Sequence, residues 1–110
     1  MPEPVAVVAL LADVATEAAL AAGFEEEGVP LRSSPAEGDA LGLARAAARD
    51  APLGLGIGGD AQRLALVLAA APGRPYVEAP PERARAFAQQ AARITARRPL
   101  IRSPLENLTD

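Results

Sequence analysis

The sequence predicts one α/β domain built on a four- to five-stranded, mostly parallel sheet with about three helices. Short valine- and leucine-rich runs alternate with stretches of helical period, the pattern of strands and helices taking turns. Proline or glycine punctuates nearly every junction between them. The length of 110 residues suits one domain and leaves no room for a second, so residues 1–110 are read as a single unit.

The first element is the apolar run Val5–Leu11, whose lack of alternation suits a strand covered on both faces. Asp13 is a good N-cap for a helix over Val14–Glu27, in which Leu20 and Phe24 share a face, and Gly28 ends it as a left-handed glycine would. Val29–Leu31 reads as a short second strand, with Pro30 tolerable only at a sheet edge. Ser33–Gly38 has loop composition. Asp39 can cap a second helix, Ala40–Arg49, stopped by Asp50-Ala51-Pro52. Leu53–Ile57 reads as the third strand with Gly58-Gly59-Asp60 as its exit, and Leu64–Leu68 as a fourth, joined to it as a hairpin. After the turn Pro72–Pro75, Tyr76-Val77 is a short strand. Glu82–Arg98 is the last helix, with Ala84, Phe87, Ala91 and Ile94 as its apolar stripe; Pro99 stops it, and Leu100-Ile101 is a final extended piece.

Composition narrows the function. Half the residues are apolar, but 27 are alanine and the only aromatics are Phe24, Tyr76 and Phe87. At roughly 25 cal/mol per Å² of buried apolar surface, alanine contributes little, so the core is thin and suits a chain completed by a partner. The sequence has no histidine, no cysteine and no lysine. That removes the usual general base near neutral pH, thiolate nucleophiles and zinc sites, Schiff bases and the phosphate-loop lysine. Intrinsic catalysis is not expected. A net charge of −3 argues against nucleic acid. No run approaches the roughly eighteen apolar residues of a membrane span, and no basic segment precedes the first apolar run, so neither a membrane nor a secretory signal is expected and the default location is the cytoplasm.

Three constellations could carry chemistry. Gly54-Leu-Gly56-Ile-Gly58-Gly59 matches a dinucleotide-binding motif by letter, but that motif works in a turn that opens a helix, and here a strand follows. The alternative is that glycine within a strand admits a closely packed backbone. Asp60, at a strand exit, either faces a ligand crevice or hydrogen-bonds its own turn. The acidic turn Glu25-Glu26-Glu27 places three like charges at a helix C-terminus that is itself partly negative, each costing a few tenths of a kcal/mol. Such frustration suits a cation or an arginine-bearing partner, or else marks a solvated helix end. Arginines 83, 85, 93, 97 and 98 of the last helix are explained in part by its dipole, those nearest its C-terminus best.

Gly23-Phe-Glu-Glu-Glu-Gly-Val-Pro-Leu-Arg32 is similar to a helix-end segment of the small (β) subunit of the diol/glycerol dehydratase reactivating factors. Ala51-Pro-Leu-Gly-Leu-Gly-Ile-Gly-Gly-Asp60 and Ala91-Ala-Arg-Ile-Thr-Ala-Arg-Arg-Pro-Leu-Ile-Arg102 resemble the family's apolar strand ending in aspartate and its last helix, in the same order over most of residues 5–105. The resemblance implies an α/β fold like that of the dehydratase medium (β) subunit and a non-catalytic member of a molecular chaperone. Its partner would be a large subunit with an ATPase domain. With ATP the complex would expel damaged cobalamin from an inactivated B12-dependent dehydratase, the small subunit exchanging with the dehydratase's own. The resemblance further implies a divalent cation such as Mg2+ at the subunit interface, with Glu26 as this chain's one ligand and Glu25 and Glu27 as surface charge or partner contacts. It also allows enclosure in a bacterial microcompartment. The alanine-rich hairpin after Asp60 and the lack of a polar N-terminal extension depart from the family pattern; the dehydratase medium subunit usually carries extra N-terminal sequence. Two other functions fit the residues: a structural medium-subunit-like component of a dehydratase, and a small-ligand-binding domain using a Gly54–Asp60 crevice.

Overall fold

The computed structural model describes residues 7–97, so the expected extended segments at Val5-Ala6 and Leu100-Ile101, the stop at Pro99, Arg98 and the Arg97 side chain lie outside the described residues. The elements run β1 (Val7–Leu11), α1 (Val14–Glu27), β2 (Leu31–Pro35), α2 (Ala40–Asp50), β3 (Leu55–Gly59), β4 (Leu64–Leu68), β5 (Val77–Ala79), a short 3-10 turn over Pro81–Arg83 and α3 (Ala84–Arg97). They form a three-layer domain around one sheet of order β2-β1-β3-β4-β5.

The expected five strands and three helices are present, but the sheet is evenly mixed instead of mostly parallel. β1 pairs in parallel with β2 and with β3, because α1 and α2 carry the chain back between them. β3–β4 and β4–β5 are antiparallel. Neither of these connections contains a helix, so the chain can only fold straight back. β2 also differs from expectation: it is Leu31–Pro35, running through residues of loop composition, and not Val29–Leu31. It is one of the sheet's two edge strands, where prolines and serines are tolerated and ladder bonds to β1 outweigh side-chain propensity. β3 reaches two residues further than expected, so Gly58 and Gly59 lie inside the strand, and β5 starts at Val77.

Strand alternation sorts the core into two unequal halves. Val7, Ala9 and Leu11 of β1, Leu55 and Ile57 of β3, and Leu64 and Leu66 of β4 pack with Leu20 and Phe24 of α1 and Phe87, Ala88 and Ala91 of α3. The opposite face, under α2, is made mostly of small residues: Ala40, Ala44 and Ala48 of the helix against Ala65 and Val67 of β4, and Ala47 and Ala51 against Val8 of β1. Gly56 and Gly58 explain how this second layer closes. A Cβ on Gly56 would stand 2.5 Å from Ala44 O and 2.6 Å from the Ala47 carbonyl carbon, and one on Gly58 would stand 2.9 Å from that of Leu43. The glycines therefore let the α2 backbone lie directly on β3, and alanine-on-glycine contact substitutes for large side chains.

The first two helices start as their sequences demand. The Asp13 carboxylate accepts from Thr16 N at 3.2 Å and from the Thr16 hydroxyl at 2.8 Å, contacts that hold its pKa below the ordinary value. Asp39 accepts from Gly42 N at 3.1 Å. α1 ends at Gly28, whose φ of 71° is the left-handed conformation of a helix-terminating glycine.

Candidate functional site

The acidic turn sits where α1 crosses α3, and Gly23 sets how closely they cross. A Cβ there would lie 2.5 Å from Ala88 Cβ and 2.7 Å from Arg85 O, so only glycine allows this approach. One turn further along α1, the side chains of the two helices meet. Arg85 donates through Nη2 to Glu26 Oε2 in an ion pair, and Gln89 Nε2 donates to Glu26 Oε1 at 2.6 Å. Arg93 Nη2 lies 3.1 Å from Glu27 Oε2. The electrostatic oddity of three glutamates at a helix C-terminus is thus relieved within the chain for two of them. Arg85 and Arg93, which helix-dipole arguments leave as surface cations, are the residues sequence reasoning missed. They lie 59 and 66 residues from their partners, and only the α1–α3 crossing brings them together.

Glu25 points elsewhere. Together with Ala21, Phe24, Gly28, Val29, Pro30, Leu31 and Ser33 it lines an open groove of about 370 Å³ between the end of α1 and the edge strand β2. Among the described residues Glu25 makes no ion pair and no side-chain hydrogen bond. On the same face, Ser33 donates to Glu17 Oε2 at 2.6 Å, tying β2 to the first turn of α1. The acidic turn therefore presents one carboxylate toward a groove beside an open sheet edge, and a second, Glu26, that is exposed but tethered.

Could these residues hold a divalent cation? Among the described residues no three His, Cys, Asp or Glu side chains come together as a metal site. Glu26 offers hard carboxylate oxygens suited to Mg2+, which is commonly held by only one or two protein carboxylates with other ligands from elsewhere. The chain fits one contribution to such a site and not a whole one.

The Gly54–Asp60 segment is engaged by its own chain. The strand order reverses between β1 and β3, the place where sheets of this type commonly bind ligands. There the α2 backbone covers Gly56 and Gly58, and the Asp60 carboxylate is bonded to the start of α2. Asp60 accepts from Ala40 N at 2.8 Å, Gln62 N at 2.8 Å and Arg63 N at 2.9 Å. Partial burial works to raise its pKa, but these donors from Gln62, Ala40 and Arg63, with the Arg63 charge, outweigh it and hold the carboxyl below its ordinary value. A carboxylate in this position occupies the N-terminus of α2, where a nucleotide phosphate would have to bind. Among the described residues no helix is long and apolar enough to cross a membrane.

A chain of a glycerol dehydratase reactivase superposes with a TM-score of 0.75 at 26% identity, covering 90% of this chain and 98% of that one. A chain from diol dehydratase-reactivating factor complexed with ADP and Mg2+ superposes with a TM-score of 0.74 at 24% identity, covering 92% of this chain and all of the other. No curated protein sequence matches. Residues 3–100 match the dehydratase medium subunit family from nearly one end of the chain to the other, and the protein belongs to that family.

Proposed function

We propose that this chain is the small subunit of a dehydratase-reactivating factor, an accessory subunit without catalysis of its own. It pairs with a large ATPase subunit, and the pair releases damaged cobalamin from an inactivated B12-dependent diol or glycerol dehydratase by subunit exchange. The observation that carries this reading is the likeness to a glycerol dehydratase reactivase chain, which spans almost the full length of both chains. An Asp60 carboxylate already engaged at the start of α2 and the lack of histidine, cysteine and lysine fit a subunit that binds other chains and not small substrates. In this reading the acidic turn and the adjoining groove face the large subunit. Glu26 supplies one carboxylate to a divalent cation at that interface, Glu25 and Glu27 are contacts, and ATP is bound by the partner.

A second reading is favoured by the family's own description: a structural medium subunit of a dehydratase. One assay separates the two. An inactivated diol or glycerol dehydratase is incubated with the large reactivase subunit, ATP, Mg2+ and fresh coenzyme, with and without this chain. Turnover is expected to return only when this chain is present. No recovery, together with active enzyme when this chain replaces the medium subunit of the dehydratase, would establish the structural reading instead.

A further inference from the structure

The two oxygens of the Glu26 carboxylate are held by different kinds of donor. Gln89, neutral and half-buried, donates to Oε1, whereas the Arg85 guanidinium, a full positive charge, sits on Oε2. The Arg85 and Glu26 side chains are 63% and 35% exposed, so water reaches the ion pair and it is easily broken. A divalent cation approaching Oε2 would meet the guanidinium as a like charge, and the two cannot share that oxygen without strong repulsion. Gln89 carries no charge and occupies the other oxygen, so its hydrogen bond is compatible with a cation on Oε2.

We propose that Arg85 is a placeholder for the interface cation, and that Gln89 is the positioning residue that keeps the Glu26 carboxylate aimed when Arg85 withdraws. The proposal rests on Glu26 being the interface ligand, as set out above. In the unassembled chain Arg85 neutralises Glu26, which would otherwise add to Glu25 and to the negative end of the α1 dipole. On assembly one positive charge leaves Oε2 as the cation arrives. The Arg93–Glu27 pair, on a separate carboxylate, takes no part in the exchange.

The two contacts therefore predict effects of opposite sign. Association of the full-length chain with the large subunit is measured by titration calorimetry across a series of Mg2+ concentrations. Arg85→Met, which keeps the apolar stem and removes the competing charge, is expected to lower the half-saturating Mg2+ concentration roughly two- to fivefold, as befits loss of an exposed ion pair. Arg85→Gln is expected to act in the same direction. Gln89→Ala is expected to raise that concentration by a similar factor, because the carboxylate loses its tether. Glu26→Gln is expected to abolish the Mg2+ dependence. If Arg85→Met and Gln89→Ala shift the midpoint in the same direction, or leave it in place while Glu26→Gln abolishes the dependence, the placeholder is overturned and the ligand reading stands. A Glu26→Gln variant with unaltered Mg2+ dependence would overturn both.

Discussion

Gly58→Ala is expected to destabilise the protein by about 3 kcal/mol or more, the upper range for overpacking, and to lower its melting temperature by more than about 12 °C. The added methyl would fall on the α2 backbone at Ala40 and Ala44 and lie 2.9 Å from the Leu43 carbonyl carbon. Backbone atoms of a hydrogen-bonded helix cannot turn aside as a side chain can, so α2 must lift as a unit. Lifting it opens the contacts of Ala40, Ala44 and Ala48 with Ala65 and Val67, and those of Ala47 and Ala51 with Val8, which hold that small core together. Gly73→Ala is the control: nothing lies within 4 Å of the added carbon, and its melting temperature is expected to stay within a degree or two of the wild type. Thermal unfolding followed by circular dichroism measures both. A Gly58→Ala protein that melts with the wild type would contradict the close seating of α2 on β3.

Asp60→Ala is expected to cost about 2–3 kcal/mol, since it strips three backbone N–H groups of a charged acceptor at one point. Those groups belong to the first turn of α2 and to the β3–β4 hairpin, so the side chain links elements that the ladder bonds leave separate. Asp60→Asn keeps one acceptor oxygen and is expected to lose less. The pH dependence has a definite sign. The folded-state pKa of Asp60 is lowered below its ordinary value of 3.8. The unfolded chain therefore binds its proton first as pH falls, and the stabilisation, fully present above that ordinary value, is lost as pH drops through the folded-state value. Urea unfolding between neutral pH and pH 3 is expected to show a steeper acid loss in the wild type than in Asp60→Ala. Parallel curves would show that the carboxylate is not what these donors stabilise.

The strands of the core are legible because they are short apolar runs between turn residues, and the helix starts because Asp13 and Asp39 stand before helical stretches. The expected second strand falls short of β2 because Val29 and Pro30 precede it and only Leu31 is shared. What makes Leu31–Pro35 a strand is its ladder to β1, which no local property of Ser33 or Ser34 announces. The share of parallel pairing was overestimated for a related reason: the direction of β5 depends on a connection without a helix, not on Val77 itself. The strand glycines were legible as a packing device once a strand, and not a helix, was seen to follow them, and α2 lies where that reading requires. At the acidic turn the cost of three adjacent glutamates could be read directly. Their relief could not, because Arg85, Gln89 and Arg93 reach them only through the helix crossing at Gly23 and Ala88.

Co-expression with the large ATPase subunit of a dehydratase-reactivating factor, followed by size-exclusion chromatography with light scattering in Mg2+ and ADP, tests most directly whether this chain is a reactivase small subunit. A single species containing both chains is the expected result. Elution of this chain apart from the large subunit, while it co-elutes with the other subunits of a dehydratase, would contradict the assignment.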